Sequence, residues 1–172
     1  AKTLAPSIFI DIPAGHVGVL WMRFFGGTVT EHVYSEGIHA VFPWDTMTLY
    51  DARLRNTTRS YTAVTSNGMQ LKVDVALRFR INAAAAGYLH KHAGPDYDAV
   101  LVYPKIASLI FELAAHHTPE EFYSSQRNAI QNDLIRLVRA AFPAPLNSQD
   151  VLHNAPAPGM VLVDDVLISG VT

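Results

Sequence analysis

Histidines and carboxylates are the residues of this 172-residue chain whose chemistry could bind a metal or move a proton. His90 and His92 form one pair, and His116 and His117 form another. A zinc-type site needs a third ligand, and two histidines two positions apart point to different sides of a helix. We therefore interpret all four as solvated helix ends and expect no bound metal.

Adjacent carboxylates occur at two places, and neither predicts an acid–base pair. Asp164 and Asp165 lie in an apolar run that is typical of a strand, where neighbouring side chains face opposite sides. Glu120 and Glu121 follow Thr118-Pro119, a helix-start pattern in which the helix dipole favours carboxylates.

Nucleophile and phosphate-binding motifs are missing from the sequence. There is no cysteine, no Gly-x-Ser-x-Gly and no Ser-x-x-Lys, and Gly26-Gly27-Thr28 lacks the lysine of a P-loop. The absence of cysteine also excludes disulfides and thiol catalysis. We expect no enzymatic activity and no cofactor.

Composition narrows the class of protein further. Apolar residues make up 49% of the chain, which is enough for a hydrophobic core, whereas charged residues make up only 16%. The net charge is −2 with no block of Lys or Arg, so we expect no nucleic-acid partner. No apolar run approaches the ~18 residues that a membrane-spanning helix needs, and we expect any membrane anchor to lie outside these residues.

Large apolar side chains stand beside turn residues at two places. Trp21, Phe24 and Phe25 precede Gly26-Gly27, and Phe42 and Trp44 flank Pro43. One interpretation is that they pack in the core. The other is an exposed surface that contacts a membrane or a neighbouring subunit, since Trp and Phe suit the headgroup boundary. Burial of all of them in one core would exclude the membrane interpretation.

The first half of the chain predicts antiparallel strands. Residues 8–12 and 17–21 alternate with period two, and the double glycine predicts a hairpin whose partner strand is 29–34. The clearest strand is 71–81, which follows the turn Ser66-Asn67-Gly68 and should pair with the stretch 49–65. Five arginines fall on this hairpin, where we interpret them as a solvated face with cross-strand pairing or, alternatively, a subunit contact along a sheet edge: Arg53, Arg55, Arg59, Arg78 and Arg80.

The second half predicts helices. A short helix over 83–92 ends at Gly94-Pro95, and a second runs to residue 115 from a cap at Asp96 or Asp98, with Pro104 either kinking it or marking its first turn. The helix that begins at Thr118 carries an apolar stripe of Ile130, Leu134, Leu137, Val138 and Ala141. A long proline-rich loop over 143–159 precedes a last strand over 160–168.

The order of these motifs resembles a prohibitin-type SPFH (band 7) domain. Ile12-Pro13-Ala14-Gly15-His16-Val17-Gly18-Val19 and Arg23-Phe24-Phe25-Gly26-Gly27 are similar to the opening of that domain. Five further segments resemble later parts of it, namely residues 36–45, Tyr50-Asp51-Ala52-Arg53, residues 65–75, residues 118–127 and Asp164-Asp165-Val166-Leu167-Ile168. The 143–159 loop is longer than the connection usual in the family.

The resemblance implies an α/β domain of the α+β type, in which an antiparallel, partly curved sheet is flanked by several helices. We expect a single domain over 1–172, with a β-rich part over 8–81 and a helical part with the closing strand over 82–170. In the family this domain follows a membrane anchor and precedes a coiled coil. Members assemble into rings or cages, organise lipid microdomains and modulate membrane proteins, including membrane proteases, without catalytic residues.

Three functional hypotheses follow. The first is a membrane-associated scaffold that binds copies of itself and contacts lipid through Trp21, Phe24, Phe25, Phe42 and Trp44. Without the coiled coil we expect the 172 residues to be at most weakly oligomeric. The second is a soluble module that docks a partner protein without lipid contact. The third, a hydrolase, would need a Ser-Lys or Ser-His pair that converges in space.

Overall fold

A computed structural model of the protein describes residues 9–142 and 159–172. Ile8 and residues 143–158 of the predicted loop lie outside the described residues. The strands are β1 (Phe9–Ile12), β2 (His16–Met22), β3 (Gly27–Thr28), β4 (Gly37–Ala40), β5 (Thr46–Asp51), β6 (Arg55–Val64), β7 (Gln70–Ile81) and β8 (Val161–Val171). The helices are α1 (Ala86–His92), α2 (Tyr103–Ala115), α3 (Pro119–Tyr123) and α4 (Arg127–Ala141), with a 3₁₀ turn at Ala83–Ala85 and a π-helical turn at Asp98–Val102. This mixture of antiparallel sheets and helices confirms the predicted α+β class.

The described residues divide into two compact units. Unit 1 comprises residues 9–53, 81–97 and 159–160, and unit 2 comprises residues 54–80, 98–142 and 161–172. Each unit takes residues from both the β-rich first half and the helical second half of the chain. The division therefore does not follow the order of the sequence.

Unit 1 is built around β2, which lies between β3 and β5 in a three-stranded sheet. Both faces of β2 are covered, since Leu20 is buried as well as Val17 and Val19. A Cβ atom on Gly18 would lie 2.6 Å from Met47 Sδ and 2.7 Å from Ile12 Cδ1, so a larger residue there would require these side chains to move. A separate ribbon in the same unit pairs β1 with β4.

The predicted partner strand over 29–34 is wrong for most of its length. In this arm of the hairpin the ladder with β2 covers Gly27–Thr28, Val29 N donates to Leu20 O at 2.9 Å, and a bridge joins Tyr34 to Gly18. The reason is the packing of α1, because a Cβ atom on Gly87 would lie 2.7 Å from Val29 O and from Thr30 Cα. The helix therefore lies against the backbone of this segment.

Unit 2 contains the three-stranded sheet β6–β7–β8. The predicted strand 71–81 is confirmed, because the odd-numbered residues of β7 from Leu71 to Ile81 are buried. Its partner β6 begins only at Arg55. The stretch 49–65 therefore does not form one strand, since residues 49–51 belong to β5 and pair with β2 instead.

The helices of unit 2 begin and end at local signals. Pro104 lies in the first turn of α2, as one of the two alternatives predicts. Thr118 and Glu121 form a capping box at α3, but the predicted single helix is wrong because Ser124 is extended and α4 starts anew at Arg127. Three residues of the α4 stripe are fully buried and two are half-buried: Ile130, Leu134 and Val138, then Leu137 and Ala141.

Two polar side chains of α4 bind the backbone of β8. The Gln131 amide donates to Val166 O at 2.6 Å and accepts from Ile168 N at 2.7 Å. Arg127 donates to Ile168 O at 2.9 Å. The helix thus satisfies the strand's polar groups in the way that another strand would.

Candidate functional site

The aromatic residues selected from the sequence are exposed in unit 1. The exposed fractions are 38% for Trp21, 66% for Phe24, 66% for Phe25, 59% for Phe42 and 42% for Trp44. The core-packing interpretation is therefore wrong for these five residues. Their contact with lipid or with another subunit stays a prediction.

Trp44 contacts two of the other rings. Phe42 and Trp44 stack with their centroids 5.0 Å apart, and Phe24 meets Trp44 edge-on at 6.1 Å. We call Phe24, Phe42 and Trp44 the aromatic cluster.

Two hydrogen bonds of Asp45 hold the loops that carry the aromatic cluster. Asp45 Oδ1 accepts from Arg23 N at 3.1 Å, and Asp45 N donates to Phe42 O at 3.0 Å. One carboxylate thus joins the loop before Gly26 to the loop after Pro43. The rings are presented on an ordered backbone.

The β1–β4 ribbon exposes two further large apolar side chains that sequence reasoning missed. Phe9 is 69% exposed and Ile38 is 72% exposed. The register pairs Phe9 with Ala40 and Asp11 with Ile38, which places Phe9 and Ile38 on the same face of the ribbon. The sequence signal for this exposed face was the period-two order of Ile38, Ala40 and Phe42. The residue between the last two, Val41, is buried.

We call the outward residues of this ribbon together with the aromatic cluster the apolar surface. Its members are Phe9, Ile38, Ala40, Phe24, Phe42 and Trp44. Large contiguous apolar patches on a protein surface mark binding sites.

The arginines of the predicted hairpin do not form one solvated face. In unit 1, Arg53 pairs with Asp51. In unit 2, Arg59 lies 3.9 Å from the ring centroid of Tyr103, and Arg55 lies 3.5 Å from Asp98. Arg55 and Arg59 occupy odd positions of β6, which share one face of the sheet with the odd positions of β7. Arg78 and Arg80 occupy even positions of β7, on the opposite face, and both are exposed. Strand alternation separates them.

His90 is not a solvated helix end, contrary to the prediction. Its Nδ1 lies 2.6 Å from the hydroxyl of Tyr50, which is buried. Burial raises the pKa of the Tyr50 hydroxyl to about 12, with smaller contributions from Tyr97 and Asp96. This contact joins α1 to β5 within unit 1. His92, two positions further on, is exposed as predicted.

Ser66, His117 and Glu121 have the residue types of a hydrolase triad but not its geometry. His117 Nδ1 lies 2.8 Å from Glu121 Oε2, whereas Ser66 Oγ donates to the main-chain carbonyl of His117 at 3.0 Å. A nucleophilic serine would need the imidazole as its proton acceptor. The His117 hydrogen bond lowers the pKa of the Glu121 carboxyl, helped by the amide of Thr118. The group joins the β6–β7 turn to α3.

The described residues form neither a metal site nor a membrane-spanning helix. Within 9–142 and 159–172, no three His, Asp or Glu side chains come together as a possible metal site. None of the helices in those ranges is long and apolar enough to cross a bilayer.

The segment Tyr50-Asp51-Ala52-Arg53 ends β5 and makes several local contacts there. Asp51 and Arg53 form two side-chain hydrogen bonds of 2.9 Å each. Ala52 N donates to Gly15 O at 2.9 Å, and a Cβ atom on Gly15 would lie 2.8 Å from the Arg53 side chain. Gly15 also has a φ of 76°, a conformation that favours glycine.

Antiparallel sheets and helices, with the exposed aromatic cluster in unit 1, define the described residues as an α+β class of protein. The family model of the SPFH domain / Band 7 family matches residues 10–151. The chain belongs to this family. Its members are generally membrane-associated scaffolds and generally form oligomers. A comparison with curated protein sequences finds no match.

Proposed function

We propose that this chain is the membrane-contacting scaffold domain of a prohibitin- or stomatin-like protein, and that the apolar surface of unit 1 contacts lipid. One observation carries the proposal, namely that Phe24 and Phe42 each contact Trp44 while all three side chains remain exposed. Trp and Phe rings bury apolar area at the headgroup boundary at low polar cost.

The contact made by one copy is weak on this account. Fully burying a Phe or Leu side chain contributes about 1.5–3 kcal/mol, and the apolar surface buries its side chains only in part. Ordering and lost rigid-body freedom oppose this gain. Stable attachment therefore needs several copies on one membrane, and assembly into a ring or cage supplies them.

The proposed role needs no chemical step, and we propose that the domain is not an enzyme and carries no cofactor. Its partners on this proposal are other copies of itself, membrane lipid, and a membrane protein or membrane protease whose activity the assembly modulates. The attachment to the membrane is completed by an anchor outside the 172 residues.

Flotation of the chain with liposomes tests the lipid contact. We expect the double variant Phe24→Asp, Phe25→Asp to lose most of the binding, because both side chains are 66% exposed and each would carry a charge to the membrane. The matched control is Phe111→Asp with Tyr123→Asp, which makes a comparable change at two exposed positions of unit 2. Equal binding by the wild type and the Phe24, Phe25 variant would remove these residues from the contact, and docking of a partner protein would then explain their exposure.

A further inference from the structure

The part of the chain that carries the apolar surface is poor in cations. Residues 9–45 contain one arginine, Arg23, and no lysine. The same residues contain four carboxylates: Asp11, Glu31, Glu36 and Asp45.

Two of these carboxylates lie beside members of the apolar surface. Asp11 lies opposite Ile38 on the outward face of the ribbon, and it is exposed. Asp45 adjoins Trp44, and its carboxylate accepts a hydrogen bond from the backbone N–H of Arg23. The ribbon face therefore carries a negative charge at Asp11, and residues 9–45 together hold one cation against four carboxylates.

Unit 1 as a whole also has more carboxylates than cations. Its described residues hold three cations and six carboxylates, namely Arg23, Arg53 and Lys91 against Asp11, Glu31, Glu36, Asp45, Asp51 and Asp96. Arg53 is already bound to Asp51 through two hydrogen bonds. Attraction to anionic lipid depends on clusters of Lys and Arg close to the surface, and unit 1 has none among these residues.

The indole groups suit the boundary of a bilayer without requiring an anionic headgroup. Neither Trp21 Nε1 nor Trp44 Nε1 donates a hydrogen bond within the described part of the chain, and both side chains are exposed. An indole N–H beside an apolar ring suits the ester and phosphate oxygens at the boundary of a bilayer, whatever the net charge of the headgroup.

We infer that the lipid bound by the apolar surface is zwitterionic, of the phosphatidylcholine type, and that anionic lipid weakens the contact. The inference rests on the proposed function and deepens it by naming the ligand. Apolar insertion drives binding, while Asp11 and its neighbouring carboxylates repel a negative surface within about one Debye length.

Flotation of the 172-residue chain at pH 8 tests the inference. The two vesicle types are pure phosphatidylcholine and phosphatidylcholine with about 30 mol% phosphatidylserine, each at about 0.05 M and 0.5 M NaCl. We expect stronger binding to the pure phosphatidylcholine vesicles at low salt. Raising the salt should bring binding to the anionic vesicles up to the same level, because screening removes the repulsion.

A charge variant locates the effect. Asp11→Lys exchanges an exposed carboxylate for a cation on the ribbon, and we expect it to raise binding to the anionic vesicles about fivefold or more. Glu112→Lys makes the same change of net charge at an exposed position of unit 2 and is the control. Circular dichroism of both variants checks that they fold.

The contrary outcomes separate the two proposals. Binding by the wild type that requires phosphatidylserine and falls with salt would overturn the inference and leave the lipid contact standing. Absence of binding to either vesicle, both by the chain and by its fusion to a trimeric coiled coil, would overturn the lipid contact and the inference together. Equal gains from Asp11→Lys and Glu112→Lys would show that net charge, and not the ribbon, sets the preference, which also overturns the inference.

Discussion

Asp51 stabilises the end of β5 through an ion pair with Arg53. Its carboxylate binds Arg53 through two hydrogen bonds, and that hydrogen bonding lowers the pKa of Asp51 to about 2. The folded state thus holds the carboxylate in its charged form more strongly than the unfolded chain does. The resulting stabilisation is present above the unfolded pKa of about 3.9 and is lost as the pH falls toward 2.

Asp51→Asn tests this origin, because asparagine keeps an oxygen that can accept from Arg53 N and removes the charge. We expect a small loss of unfolding free energy at pH 6, since exposed ion pairs are screened by water. The difference from wild type should shrink between about pH 4 and pH 2.5 in urea titrations. A difference that stays constant over this range would assign the effect to packing. Glu112→Gln, at an exposed position, is the control.

Gly87 sets the position of α1 within unit 1. Alanine at a helix position is favoured over glycine by about 1 kcal/mol when nothing opposes it. Here the added Cβ atom would meet Val29 O and Thr30 Cα at 2.7 Å. These are backbone atoms, which cannot swing aside as a side chain can, so the clash outweighs the propensity.

We therefore expect Gly87→Ala to destabilise the protein by about 1–3 kcal/mol, the usual range for overpacking. Urea unfolding followed by circular dichroism measures the change. Ser108→Ala, at an exposed position of α2, should change stability by less than about 0.5 kcal/mol. A stabilised Gly87→Ala variant would mean that α1 does not pack against residues 29–30.

Elements with a local cause are the ones that the sequence predicts. Strand β7 follows from strict alternation, and the start of α3 follows from Thr118 and Glu121, whose capping contacts span three residues. The break at Ser124 and the short β3 could not be predicted in this way. The pairing of β5 with β2 and the packing of Gly87 on residues 29–30 depend on contacts between distant segments.

In the candidate site, too, the sequence predicts only the features that have a local cause. The sequence identified the aromatic residues beside the turns, but a phenylalanine in a core and one on a surface have the same local pattern. Exposure depends on what the rest of the chain covers, and Phe9 and Ile38 became part of the apolar surface only through the β1–β4 register. The contact between Tyr50 and His90, 40 residues apart, likewise has no local signal.

At the scale of the whole molecule, the proposed scaffold depends on repetition of a weak contact. One copy offers a few partly exposed rings, and linking copies raises the effective concentration of each further contact without adding any new one. A family whose members generally form oligomers has this arrangement available to it.

Fusion of the 172-residue chain to a trimeric coiled coil tests the dependence on copy number. We expect the trimer to bind phosphatidylcholine vesicles about 100-fold or more tightly than the monomer, provided that the three apolar surfaces can reach one membrane together. The same fusion carrying Phe24→Asp and Phe25→Asp is the control, and it should show no such gain because each of its three contacts is impaired. If the trimer binds no better than the monomer, side-by-side contacts do not add, and attachment must come from elsewhere in the protein.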